Sequence, residues 1–285
     1  MESRFTTYEK MGESSEVVSH KRLEGKVTII TGGASGIGAA TVQLFHEHGA
    51  RVVVADIKDK QGKVIADKLG ENVTFIHCDV SDEDDVINLI DTTVSLHGKL
   101  DIMYDNAGVM DRSLGSILDT KKSDLDLMLK VNLGGAFLGA KHAARVMIPQ
   151  HKGCILFTAS ACTAIAGLST HSYAAAKCGI WGFARNLASE LGEYSIRVNC
   201  ISPYGVVTGM TTITDASMIP MVEEILSKAG NLQGQTLRAD GIAKAALYLA
   251  SDDAYYVSGL NLVVDGGFSI VNPTVIQKTP NHNYD

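Results

Sequence analysis

Seven short, apolar, β-rich runs separated by amphipathic stretches leave this chain few folds to choose from. The runs are Lys26–Thr31, Arg51–Asp56, Asn72–Cys78, Leu100–Tyr104, Cys154–Thr158, Ile196–Ile201 and Asn261–Val264. Helical patterning fills Gly36–His48, Lys58–Leu69, Asp82–Leu96, Ser123–Gln150, Ser172–Gly192 and Asp240–Leu249. Strands joined through helices pair in parallel by right-handed crossovers. The expected fold class is therefore α/β: one doubly wound, seven-stranded parallel sheet with helices on both faces. Val27–Ile30, apolar but for Thr28, and Val52–Ala55 have the apolar character that strands covered on both sides require.

The sequence reads as one domain over residues 21–271, with tails at 1–20 and 272–285, the latter carrying Pro273 and Pro280. Residues 204–234 form the one long irregular segment, expected to hold short helices and to act as a substrate lid. The net charge of -7 is spread without any lysine-arginine block, which argues against nucleic-acid and anionic-membrane partners. The five cysteines, Cys78, Cys154, Cys162, Cys178 and Cys200, lack Cys-x-x-Cys spacing, so neither a disulfide framework nor a metal site is expected. The first twenty residues contain Glu2, Glu9, Glu13 and Glu16, which disfavours a signal or transit peptide. Hydroxyl-bearing residues interrupt the charge-free stretch Cys154–Ala176, which disfavours a membrane span. A cytoplasmic location is the expectation.

Two clusters carry the chemistry. In the first, strand Lys26–Thr31 feeds Gly32, Ser35, Gly36, Ile37 and Gly38 at the start of a helix. Glycines allow close backbone approach there, and the helix terminus offsets pyrophosphate charge. Asp56 ends the second strand about twenty residues later, where a carboxylate accepts both adenosine-ribose hydroxyls and repels a 2′-phosphate. Ile57 follows it and no base occupies Gly33–Ser35, so NAD is the expected cofactor rather than NADP. In the second cluster, Tyr173 and Lys177 stand one helical turn apart on one face, where an ammonium can stabilise a phenolate. Taken singly, Tyr173 reads equally as a core aromatic, Ser160 as a strand-end hydroxyl and Asn132 as a buried amide bonding neighbouring backbone.

The order and intervals of the glycine loop, Asp56, Asn106-Ala107-Gly108, Asn132, Ser160, Tyr173 and Lys177 resemble those of the short-chain dehydrogenase/reductase family, from about Leu23 to Phe268. That resemblance implies a Rossmann-type fold and a catalytic tetrad. Tyr173 would take the alcohol proton as hydride leaves for nicotinamide, and Ser160 would bond the reacting oxygen. Lys177 would hold the nicotinamide ribose, and Asn132 would position a water linking Lys177 to solvent. It also implies cofactor contacts at Asp79, Val80, Asn106, Ala107, Gly108, Pro203, Val206 and Thr208. Asp105 departs from the family's asparagine, an extra carboxylate near adenosine for local amides to accommodate. A homotetramer built on the helices near Ser123–Gln150 and Ser172–Gly192 is implied as well.

Substrate pockets of the family form over the nicotinamide. The matching positions are Val109, Met110, Leu114, Ile165, Leu168, Tyr204, Met210, Ile213, Met218, Ile219, Met221 and Ile225. Their apolar character fits an apolar alcohol or ketone, and it equally fits plain packing of a lid helix. Asp105-Asn106-Ala107-Gly108, Ser202-Pro203-Tyr204-Gly205 and the Val264-Asp265-Gly266-Gly267 terminus resemble plant enzymes of secondary metabolism. Borneol dehydrogenase-like proteins come first, then secoisolariciresinol and xanthoxin dehydrogenases; a steroid substrate is a further alternative. A reading from another class is a catalytically idle NAD-binding sensor or scaffold on the same fold.

Overall fold

In the computed structural model, which describes residues 21–111, 116–210 and 215–271, each apolar run becomes a strand of one parallel sheet. The strands are β1 Val27–Thr31, β2 Arg51–Asp56, β3 Val73–His77, β4 Ile102–Asp105, β5 Gly153–Thr158, β6 Ile196–Pro203 and β7 Asn261–Val264. Their spatial order is β3-β2-β1-β4-β5-β6-β7. The chain therefore runs outward to β3, then crosses back to place β4 against the other side of β1. Ligand crevices of doubly wound sheets open at such a reversal, outside the carboxyl ends of the strands.

Every residue of β1 is buried, and the period of two decides which layer each faces. Ile29, Val53, Met103, Ile155 and Val198 meet one core layer with Leu89, Ile90, Ala140 and Ile180. Ile30, Val52, Val54, Ile102, Leu156 and Ile201 meet the other, with Val42, Phe45, Ile242 and Leu247. The first layer is built on α3 Glu83–His97, α5 Gly135–Met147 and α6 His171–Leu191. Helices α1 Gly36–Glu47 and α8 Ala239–Ala250 supply the second, and α2 Asp59–Leu69 lies beside β3. Gly62 of α2 lets the Phe75 ring approach to 2.1 Å of where a Cβ would stand.

One expected element comes out divided. The helix anticipated over Ser123–Gln150 is α4 Lys122–Met128, a π-helical turn Leu129–Gly134, and then α5. The irregular segment after β6 contains α7 Ile219–Ala229, with Pro220 in its first turn where a missing amide hydrogen costs little. The expected tails at 1–20 and 272–285, and the pocket positions Leu114 and Ile213, lie outside the described residues.

Candidate active site

A cleft of about 1330 Å³ crosses the carboxyl ends of the strands at the reversal point. At one end, the chain between β1 and α1 is shaped by three glycines. A Cβ on Gly32 would stand 2.9 Å from Ala107 Cα, and one on Gly38 would stand 2.1 Å from the Gly32 carbonyl oxygen. Gly36 has a φ of +55° and lies under Thr208, so it too excludes a side chain. Ser35 is the N-cap residue of α1, yet its hydroxyl bonds no amide of the first turn, and that turn carries no acid. The positive helix terminus is presented to the cleft where Ser35, Gly36 and Ile37 line it. A pyrophosphate fits this cradle.

Asp56 is buried at the end of β2 and braced on both oxygens. Oδ2 accepts from the Ala34 amide at 3.0 Å, and Oδ1 accepts from the Lys58 amide at 3.0 Å. Each oxygen keeps a second lone pair for a diol. Ile57 lies 61% exposed beside it. Lys58, which the sequence reading passed over, reaches the same rim with Nζ 3.4 Å from Ser35 Oγ. Asp79 and Val80 line the far wall. The Asp79 carboxylate already accepts from the Ser81 amide at 2.9 Å and the Ser81 hydroxyl at 2.7 Å, bonds that hold its pKa below the usual value.

The middle of the cleft is tied across three strands. Thr31 Oγ1 accepts from the amides of Asn106 and Ala107, and the Asn106 side chain donates to the Thr31 carbonyl at 2.9 Å. Thr158 Oγ1 bonds Asn106 Oδ1 at 3.0 Å and the Tyr104 hydroxyl at 2.8 Å. Asp105 behaves otherwise than expected. Rather than local amides, it faces the backbone of Gly139 on α5, where a Cβ would meet Oδ1 at 2.0 Å. Its Oδ2 is buried with no hydrogen-bond partner, and burial holds the carboxyl well above its ordinary pKa.

At the chemical end, α6 is capped by Thr170, whose hydroxyl accepts from the Tyr173 amide at 3.3 Å and donates to Asp111. Four residues place Tyr173 and Lys177 on one face. Lys177 Nζ lies 5.6 Å from the Tyr173 ring centre and donates to the Thr158 carbonyl at 2.6 Å. Burial pushes the Lys177 ammonium down to about 8. It also pushes the Tyr173 phenol above its ordinary value; the Cys162 thiol adds to the rise and a hydrogen bond with Ser160 opposes it. Ser160 ends the loop after β5, and its hydroxyl also accepts from the Cys162 amide at 3.4 Å.

Asn132 sits in the π-helical turn behind this wall. Its Oδ1 accepts from the Val109 amide at 2.7 Å and its Nδ2 donates to the Val109 carbonyl at 2.9 Å. The amide thus fixes the loop after β4. Gly108 separates it from Lys177: a Cβ there would stand 2.9 Å from Asn132 Oδ1 and 3.5 Å from Lys177 Nζ.

Tyr173, Lys177 and Ser160 share the cleft with the glycine loop, Asp56, Pro203, Val206, Thr208, Met110, Tyr204 and Met210. Ile165, Met218 and Met221 do not line it. Met218 and Met221 are 44% and 49% exposed on the outer side of the lid. The inward face of α7 belongs to Val222 and Leu226, one helical turn apart. Their signal in the sequence was the i, i+4 spacing, obscured by the neighbouring methionines. Among the described residues no cluster of histidines, cysteines or acids could hold a metal, and no helix is long and apolar enough to cross a membrane.

Comparison with known proteins agrees with this architecture. A family model described as enoyl-(acyl carrier protein) reductase matches residues 32–269. Tropinone reductase-like 1 of Erythroxylum coca is 67% identical, the match covering 89% of this chain and 94% of the relative. (+)-Borneol dehydrogenase 1 of Salvia officinalis is 58% identical over 91% of this chain and 99% of its own. The crystal structure of a short-chain type dehydrogenase/reductase from Mycobacterium marinum superposes with a TM-score of 0.79 at 30% identity, covering 89% of this chain and 99% of that one.

Proposed function

We propose, for a chain that belongs to the classical short-chain dehydrogenase/reductase family and to its plant subgroup, an NAD-dependent interconversion of an apolar cyclic secondary alcohol and its ketone. Membership makes it an oxidoreductase with a nicotinamide-cofactor fold. The finer reading rests on one observation: a glycine cradle with a braced carboxylate, and a tyrosine-lysine pair with a serine, open on the same cleft. Gly32, Gly36, Gly38, Asp56, Asn106, Ala107 and Gly108 would hold the cofactor, and Pro203, Val206 and Thr208 would line its nicotinamide half. When bound, it supplies the hydride acceptor or donor.

Tyr173 then takes the alcohol proton, Ser160 holds the reacting oxygen, and Lys177 sets the charge beside the phenol. Val109, Met110, Leu168, Tyr204, Val222 and Leu226 provide an apolar wall that admits a hydrocarbon ring and little water. Borneol, oxidised to camphor, is the substrate we favour, supported by the relative named as a borneol dehydrogenase. The relative named tropinone reductase-like 1 adds tropinone to the compounds worth trying. The test is a panel of cyclic secondary alcohols and ketones read by NADH absorbance, with NAD and NADP in parallel. Turnover of borneol with NAD is the expected result. Cofactor binding with no turnover on any alcohol or ketone would favour the idle sensor instead.

A further inference from the structure

The turn that follows β7 folds onto the substrate side of the cleft without entering it. Asp265, buried, accepts from the Gly267 amide at 2.9 Å and the Ser269 amide at 2.8 Å, closing residues 265–269 into a tight turn. Gly266 and Gly267 both have positive φ, +60° and +81°, a pair that only glycines adopt without strain. The chain after α7 rests directly on them. A Cβ on Gly266 would stand 2.9 Å from Leu232 Cβ, and one on Gly267 would stand 3.0 Å from Asn231 Nδ2.

From this turn the Phe268 ring reaches Tyr204, with ring centres 4.6 Å apart and planes tilted by 31°. The Tyr204 amide donates to the Val264 carbonyl at 3.0 Å, so β7 fixes the Tyr204 backbone while Phe268 fixes its ring. Tyr204 lines the cleft and Phe268 does not. Next to Tyr204, the absent side chain of Gly205 leaves room for Leu226, whose Cδ2 would lie 2.6 Å from a Cβ there. One turn therefore holds the aromatic wall by its ring and supports the chain that leaves the lid helix.

We propose that Phe268 is a positioning residue for substrate selectivity: by stacking on Tyr204 it sets the wall against which a bulky cyclic alcohol fits. This rests on reading the outer half of the cleft as the alcohol site. Neither ring belongs to the glycine cradle or to the tyrosine-lysine pair, so cofactor binding and proton transfer are expected to be spared.

The experiment is a double-mutant cycle on Tyr204→Ala and Phe268→Ala, with KM and kcat measured for borneol and for cyclohexanol, and KM for NAD. Phe268→Ala is expected to raise the borneol KM by roughly three- to tenfold, the range an aromatic pair contributes. The cyclohexanol kcat and the NAD KM should hold within about twofold, the scatter usual for uncoupled sites. In the Tyr204→Ala background, the same change should add nothing. Phe268→Tyr, which keeps the ring, should restore the parent borneol KM, whereas Phe268→Leu, which keeps apolar volume without the ring, should not. If Phe268→Ala fails to fold, the leucine variant carries the cycle in its place. Tyr204→Ala without effect on the borneol-to-cyclohexanol ratio would overturn the site reading and the proposal together. An effect of Tyr204→Ala with none of Phe268→Ala, or additive effects of the two, would overturn the role of Phe268 alone.

Discussion

Burial acts on Tyr173 and Lys177 in opposite senses: it raises the phenol and lowers the ammonium to about 8. As the pair stands, the first proton released with rising pH leaves Lys177. A positive charge brought by oxidised nicotinamide favours the phenolate instead, and the two groups titrate as one coupled system. Alcohol oxidation should therefore climb with pH through the region near 8, measured as kcat/KM. Tyr173→Phe keeps the ring and loses the acceptor, so turnover should fall by about a hundred- to ten-thousandfold with NADH binding and melting temperature retained. Lys177→Met should be equally severe in rate and should weaken NADH binding as well, read by fluorescence titration. Asp105 offers a test outside catalysis. Its folded pKa is raised, so the native state keeps a proton that the unfolded chain sheds above its ordinary value of 3.8. Stability is then fullest below that pH and is lost as pH rises towards the folded value. Asp105→Asn cannot ionise, so its melting temperature should gain on the parent's as pH rises above 3.8. An unpaired buried group costs about 1–3 kcal/mol, enough to be read in a thermal scan. The aspartate was visible in the sequence, but its orphaned oxygen was not, because the packing of Gly139 against β4 follows no local pattern.

At the scale of elements, the strands were legible because a doubly covered parallel strand is largely apolar, and β1 and β2 are built around Ile29-Ile30 and Val52–Ala55. The π-helical turn at Leu129–Gly134 was not legible. Its apolar pattern runs on through α4 and α5, while within it the Asn132 amide bonds Val109, a partner distant in sequence. The lid misled in a similar way. Met218 and Met221 suggested recognition by their chemistry, whereas α7 turns Val222 and Leu226 inward. Val222→Asp or Leu226→Asp should raise the KM for borneol by about tenfold or more, since burying an unpaired charge is costly. Met221→Asp, on the exposed face, should leave it near the parent value. The terminus of β2 makes a separate prediction. Asp56 meets a 2′-phosphate with like charge, a juxtaposition that costs several kcal/mol, so NAD should outperform NADP by at least about a hundredfold in kcat/KM. Asp56→Ala removes the repulsion and leaves Lys58 as the nearest cation at that rim, and it should close most of the gap. Equal efficiency with both cofactors in the parent enzyme would count against this reading of β2.

For the whole molecule, the surface carries two apolar faces at different places on the fold. On the α5 and α6 side, Phe137 is 48% exposed and stacks with Phe183 at 5.4 Å between ring centres, with Leu127 exposed on neighbouring α4. At the other, β7 ends the sheet as an edge strand, near the exposed rings of Tyr255 and Tyr256 and the exposed Ile270. Unpaired edges and contiguous apolar patches are features that monomers usually cover. Two faces that each met their own copy about a twofold axis would generate a closed tetramer, the commonest outcome after the simple dimer. An apolar helix face was expected from the small and apolar residues of Ser123–Gln150 and Ser172–Gly192. The edge position of β7 was not, since an edge strand and an interior one read alike until the sheet order is known. The expected state is a homotetramer, measured by light scattering at micromolar protein. Phe137→Arg should disrupt the α5–α6 contact and yield dimers joined through the β7 side, with the melting temperature lowered and NADH still bound. A parent enzyme that scatters as a monomer at every concentration would remove the oligomer from this account and leave the cleft chemistry to a single chain.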